Sequence, residues 1–189
     1  MRWKNKLSIE SGRQKMSFIK PLEYPKNVTG DNPSIKRFVE SGGKLTNMKK
    51  TLLYSDAAFR AYLEWYPLEA ELKAFLSEKE IELFALSISI QGDCLLCSTY
   101  FRKALLDRGE NPDHLSLSPR EQLISDFGRA IVKNSGAIQE TIYRLLKSTF
   151  SDREIVLLTA FAGIMIATNV FNNALKVDLD DHLINIRGR

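Results

Sequence analysis

The sequence predicts an all-α protein: a multi-helix bundle preceded by an irregular N-terminal arm. Three observations lead there. From Leu45 onward the apolar residues recur with helical spacing and no strand-like alternation. A capping box occurs three times, at Ser77-Glu-Lys-Glu80, Ser118-Pro-Arg-Glu121 and Ser151-Asp-Arg-Glu154, pairing an N-cap hydroxyl with a carboxylate three residues on. The breakers Gly109 and Gly136 fall where helices should stop. Helices are therefore expected near 45–53, 55–66, 78–91, 93–108, 119–133, 137–148 and 152–175. Pro119, at the first helical position of the fifth, strengthens that start.

The remaining chain divides by composition. Residues 16–43 hold Pro21, Pro25 and Pro33 with Gly30, Gly42 and Gly43, and read as an extended arm. Phe18, Leu22, Tyr24 and Phe38 are its candidate anchors on the body or on a neighbouring subunit. Residues 44–189 form a single all-helical domain. The chain carries 27 Lys+Arg against 23 Asp+Glu, a net charge of +4. Arg2, Lys4, Lys6, Arg13 and Lys15 oppose only Glu10 in residues 1–15, a basic flexible leader that holds the whole excess. The body is neutral, so the charge gives no warrant for nucleic acid as a partner.

Between Glu154 and Lys176 no residue is charged, a stretch long enough to cross a bilayer. Thr159, Thr168, Asn169, Asn172 and Asn173 interrupt it and a capping box starts it, so the reading is a buried core helix and no membrane. It is also more apolar over 155–171 than one helix of a small monomer needs, which predicts a homo-oligomer. The basic leader runs into Ser8, Glu10, Ser11 and Gly12, unlike a secretory signal, and the expected location is the cytoplasm.

LSEKEIELFAL (76–86) aligns with FSDREIVLLTA (150–160), as a duplication would, or as two capped apolar helices would independently. The alignment isolates Glu82, which stands where the second copy has Val156. After its cap, the helix from Glu78 is apolar nearly all round, and Glu82 is its only ionisable side chain. A carboxylate on such a helix either finds donors or has its pKa raised. The alternative is an exposed first-turn Glu favoured by the helix dipole.

The chain has two cysteines, Cys94 and Cys97, three residues apart. Gln91-Gly92-Asp93 reads as a turn, with Gly92 reversing the chain and Asp93 as N-cap, which puts Cys94 at the first helical position and Cys97 one turn on. Orphan N–H groups there favour a thiolate, and the spacing lets the sulfurs form a disulfide. Antiparallel helices joined by this turn would bring Glu82 toward the sulfurs as proton acceptor. Two inert core cysteines are the competing reading. A zinc site lacks ligands, since His114 and His182 are isolated; neither metal nor cofactor is expected.

EIELFALSISIQGDCLLCSTYFRKAL, with Glu82-x11-Cys94-x2-Cys97, and FSDREIVLLTAFAGIMIATNVFNNAL together resemble the carboxymuconolactone decarboxylase and alkylhydroperoxidase D-like superfamily, in its thiol CxxC branch. The resemblance spans about residues 45 to 176 and implies an alkylhydroperoxidase D-like bundle. It also implies thiol-dependent antioxidant peroxidase or disulfide oxidoreductase activity, with a peroxide substrate, a dithiol or thioredoxin-like reductant, and helical homo-oligomers. It makes Cys97 the attacking and Cys94 the resolving cysteine, whereas position along the helix favours Cys94. The chain departs from the family at two places: Phe101 and Leu96 stand where members with a full proton relay carry histidines. Tyr100, one turn from Cys97, is an auxiliary hydrogen-bonding candidate but a poor base near neutrality. The alternative is a non-catalytic or strongly impaired oligomer of the same fold; decarboxylase-type activity fits this motif less well.

Overall fold

The computed structural model describes residues 17–26 and 32–186; the basic leader at 1–15 lies outside them. The described residues form α1 (Pro33–Glu40), α2 (Asn47–Leu52), α3 (Asp56–Leu63), α4 (Trp65–Leu72), α5 (Glu78–Gln91), α6 (Leu95–Asp107), α7 (Pro119–Lys133), α8 (Glu140–Thr149), α9 (Asp152–Leu175) and a closing 3-10 helix, Asp181–Ile186. Among them there is no strand, and the architecture is the expected all-α multi-helix bundle.

All three capping boxes form, each with the Ser hydroxyl accepting the N3 backbone N–H and the N3 Glu accepting the N-cap N–H. Gly109 and Gly136 have φ of +81° and +89°, the left-handed stops expected of them.

Two prolines correct the sequence-based element list. Pro33, taken as a breaker in an irregular arm, sits at the start of α1, and the single helix expected over 55–66 is instead α3 followed by α4, which carries Pro67 in its first turn. In a first turn the missing N–H has no intrahelical partner to lose, so proline costs little. The arm does anchor on the body. Ser17 N–H donates to Asp178 at 3.1 Å, Phe18 N–H to the Leu175 carbonyl at 3.0 Å, and Leu22 N–H to the Lys50 carbonyl at 3.2 Å. Leu22, Tyr24 and Phe38 pack on a small core of Ile35, Leu52, Leu53 and Phe59; Phe18 is exposed, under the Lys176 ammonium.

The main core is built around α5, which packs against α6, α7 and α9. Its residues Ile81, Leu83–Ser89 are buried, and the hydroxyls of Ser87 and Ser89 donate back to the carbonyls of Phe84 and Ala85. Phe84 stacks between Phe127 of α7 and Phe161 of α9, with centroids at 5.7 and 6.0 Å. α9 is a core helix as expected, burying Ile155, Leu157, Leu158, Phe161, Ala162 and Met165. It is long and apolar enough to cross a membrane by length and composition. Val156 and Val170, on its outer side, are exposed.

α5 and α7 pack tightly at Gly128, where a Cβ would lie 2.1 Å from Ser87 Oγ and 3.0 Å from Phe84. Gly128→Ala is expected to destabilise the chain by about 1–2 kcal/mol, overpacking outweighing the gain in helix propensity. Adding Ser87→Ala, which removes the opposing oxygen, should recover most of that loss in chemical denaturation.

Candidate active site

The turn between α5 and α6 sets the geometry of the thiols. α5 ends at Gly92, and Asp93 takes the left-handed conformation, φ +50°. Cys94, not Asp93, is therefore the N-cap of α6, and Cys97 is its N3 residue, one step earlier in the helix than the sequence suggests. Gly92 is not the left-handed residue; glycine is needed because a Cβ there would lie 2.7 Å from Asn169 Nδ2. Cys94 Sγ plays the part a serine oxygen plays in a cap, accepting the Cys97 N–H at 3.3 Å. Both thiols are free and buried.

Three asparagines of α9 hold this turn. The Nδ2 groups of Asn169 and Asn173 donate to the carbonyls of Ile88 (3.3 Å) and Gly92 (3.0 Å), and that of Asn172 to Cys97 Sγ (3.2 Å). Asn172 is 3% exposed, and its Oδ1 has no hydrogen-bond partner among the described residues. The sequence showed these residues only as polar interruptions of an apolar helix; their spacing at 169, 172 and 173, one face of α9, was the available signal.

The two thiols titrate together, in opposite directions. A hydrogen bond from the Cys97 thiol, helped by the N–H groups of Cys97 and Leu96 and by the Asn172 amide, pulls Cys94 below its ordinary range despite burial. Cys97, as the donor to Cys94 and as a buried group, is pushed well up. The pair thus holds one proton readily between two sulfurs.

Cys97 opens onto a cavity of about 140 Å³, walled by Leu52, Phe59, Trp65, Phe101 and Met165, with Asn172 beside the sulfur and Lys49, Tyr66 and Asp180 among its polar residues. Glu82 lies in a second, smaller cavity with Glu78, Glu69 and Arg108. Trp65, Tyr100 and Phe101 line both, so they form the wall between the two. Glu82 has found its donor: Arg108 Nε reaches its two oxygens at 2.9 and 2.8 Å, and the same guanidinium pairs with Glu78. Burial raises the Glu82 pKa, with Glu78 and Glu69 acting the same way and Arg108 opposing. The structure therefore joins Cys94 to Cys97 but puts Glu82 behind the Phe101 wall. Phe101 is buried, in edge-to-face contact with Tyr100 at 5.1 Å. Burial, and then neighbouring acidic groups, raise the Tyr100 pKa, so it is no base here. His114 and His182 line neither cavity.

An uncharacterized peroxidase-related protein from Silicibacter sp. TM1040 has a similar crystal structure: TM-score 0.68 at 20% identity, covering 89% of this chain and 97% of that one. At that identity the likeness establishes the shared fold. No family model matches the chain, and no curated protein does.

Asn172→Leu keeps the side-chain size and removes the amide that favours the thiolate; alkylation of the pair at pH 7 should slow by about tenfold, as expected for a hydrogen bond to a charged group. An unchanged rate would remove Asn172 from the thiol site. Phe101→His should place an imidazole in the wall and speed alkylation several-fold between pH 6 and 9. If Glu82 then works through that imidazole, adding Glu82→Gln should cancel the gain.

Proposed function

We propose that the chain is a thiol-dependent peroxidase or disulfide oxidoreductase working through the Cys94–Cys97 pair. The observation that carries this reading is the hydrogen-bonded pair of free cysteines at a helix start, with Cys97 facing an apolar cavity. The peroxidase-related structural neighbour is consistent with it.

The two criteria for the attacking sulfur point to different cysteines, and the shared proton reconciles them. Cys94 is the better thiolate, whereas Cys97 lines the cavity where a peroxide can sit. Transfer of the Cys97 proton to Cys94 puts the negative charge on the sulfur that has access. Cys97 S⁻ then attacks the distal peroxide oxygen, the O–O bond breaks, and the sulfur becomes a sulfenic acid. Cys94, one helical turn away, displaces its oxygen as water and closes the disulfide. A dithiol or thioredoxin-like protein restores both thiols. Cys97 is thus the peroxidatic residue and Cys94 the resolving one. Tyr100 forms part of the cavity wall, and Glu82 acts as proton acceptor only where something other than Phe101 connects the two cavities.

The exposed apolar side of α9, with Val156, Ala160 and Val170, supports assembly into a homo-oligomer. The second reading is a non-catalytic or strongly impaired oligomer of the same fold. It is favoured by the buried, protonated Cys97 and by Phe101 in the wall.

One assay separates them. Peroxide consumption with a dithiol reductant should fall to background in Cys97→Ser, and mild oxidation of the native protein should yield a reducible 94–97 disulfide by mass spectrometry. Equal rates in wild type and variant, with both thiols still free, would establish the non-catalytic reading.

A further inference from the structure

Peroxide cleavage has two proton requirements, and the cysteine pair meets one. The attacking sulfur must lose a proton, which Cys94 can take. The departing oxygen, an alkoxide when the substrate is an alkyl hydroperoxide, must gain one. No histidine lines the Cys97 cavity, and the wall residue that a histidine would occupy is Phe101.

The opposite side of the cavity holds a different acid. Lys49 of α2 lines it together with Cys97, and its ammonium donates to the Tyr66 hydroxyl at 2.5 Å and to the Lys44 carbonyl at 3.2 Å. It also lies over the rings of Phe38 and Tyr66, at 4.9 and 5.1 Å from their centroids. An ammonium has three N–H groups, so these two acceptors leave one for a molecule in the cavity. The other titratable side chains around the cavity are Tyr62, Tyr66, Tyr100, Asp180 and Cys97. Burial lowers the Lys49 pKa to about 8, against the attraction of Asp180. Burial also raises Tyr62 and Tyr66, Glu69 adding to the effect on Tyr66, so these phenols are weaker acids than the lysine. Asp180 is committed elsewhere, accepting the Asn47 backbone N–H at 2.7 Å.

The polar atoms around the cavity match a hydroperoxide end to end. Asn172 donates to Cys97 Sγ, and its Oδ1, beside the same cavity, is buried without a partner among the described residues. That oxygen can accept the O–H of the distal peroxide oxygen, the atom the sulfur attacks. The proximal oxygen then faces away from Cys97, toward the rest of the cavity. We propose that Lys49, held by Tyr66, is the general acid that protonates the leaving alkoxide in this cavity. The inference rests on the peroxidase reading above.

The step balances as follows. Cys97 S⁻, R–O–OH and Lys49 NH3+ give Cys97 S–OH, R–OH and neutral Lys49. Sulfur is oxidised by two electrons, the O–O bond is reduced, and the Lys49 proton ends on the alcohol. Lys49 is reprotonated by solvent before the next turnover. A cavity of on the order of 150 Å³ holds one benzene-sized molecule, so tert-butyl hydroperoxide is a suitable substrate for the 140 Å³ found here.

The test compares two oxidants that differ in their need for a proton. tert-Butyl hydroperoxide releases a strongly basic alkoxide, and peracetic acid releases acetate, which leaves unprotonated. At pH 7, Lys49→Met should lower kcat/KM for tert-butyl hydroperoxide by about 100-fold, a typical loss for a general acid, and change peracetic acid by less than about threefold. Lys49→Arg, which keeps the charge but holds its proton, should show the same selective loss. The wild type should also lose rate on tert-butyl hydroperoxide as pH rises above about 8, and the Lys49 variants should not. Equal losses on both oxidants, or full activity in Lys49→Arg, would overturn the proposal while leaving the peroxidase reading intact. A wild type that consumes neither oxidant, or whose rates survive Cys97→Ser, would overturn both.

Discussion

The site depends on the grip of α9 on the α5–α6 turn. A CxxC segment at a helix start is short and local, and nothing in it fixes where its sulfurs point in a folded protein. Here three amides from one face of α9 take hold of Ile88, Gly92 and Cys97, across sequence separations of 75 to 81 residues. One of these bonds satisfies the carbonyl of Gly92, the C-cap of α5, where a helix leaves its carbonyls without intrahelical partners; another adds a second donor to the Ile88 carbonyl, which already accepts the Gly92 N–H; the third reaches the sulfur itself. Gly92 lets Asn169 come close enough, and the left-handed Asp93 turns the chain so that Cys94 caps α6 with its side chain. Burying asparagine in an apolar helix is costly unless the amides are used. Their use here explains why so apolar a helix carries buried asparagines on its inner face.

The second constraint is the aromatic wall. Trp65, Tyr100 and Phe101 separate a carboxylate–guanidinium cluster from a thiol cavity. On the far side Glu82 is committed to Arg108. On the near side the ionisable groups include Lys49, Asp180 and Cys97. An imidazole in the wall would let the two sides exchange protons; a phenyl ring does not. Proton handling in the thiol cavity must then come from groups that already line it, which makes the chemistry of α2 and α4 matter to a pair of cysteines on α6.

The fold was largely legible in the sequence because its strongest signals are local. A Ser with a Glu three residues on defines a helix start through atoms of that same turn, and all three such starts form. Pro33 misled because proline is a breaker in a helix interior but harmless in a first turn, and periodicity alone did not say which it occupied. At the site, the thiol spacing and the isolation of Glu82 on an apolar helix were visible; its partner Arg108 was not, because 26 residues and a helix packing angle separate them. Lys49 and Asn172 were invisible as site residues for the same reason. Each looks ordinary in its own helix, and only tertiary packing puts both on one cavity.

The opposing behaviour of the two thiols follows from this same arrangement. As the capping residue, Cys94 receives backbone N–H donors as well as the Cys97 thiol, so it holds negative charge well, yet it does not line the cavity. Cys97 has the access, with one amide donor and a proton to lose. Separating ionisation from access in this way keeps the sulfur that lines the cavity protonated and less prone to indiscriminate oxidation, since the thiolate is the reactive form. A molecule that fills the cavity displaces water around Cys97 and can offer its O–H to Asn172. Under the proposed thiol chemistry, the walls of the cavity decide what reaches Cys97.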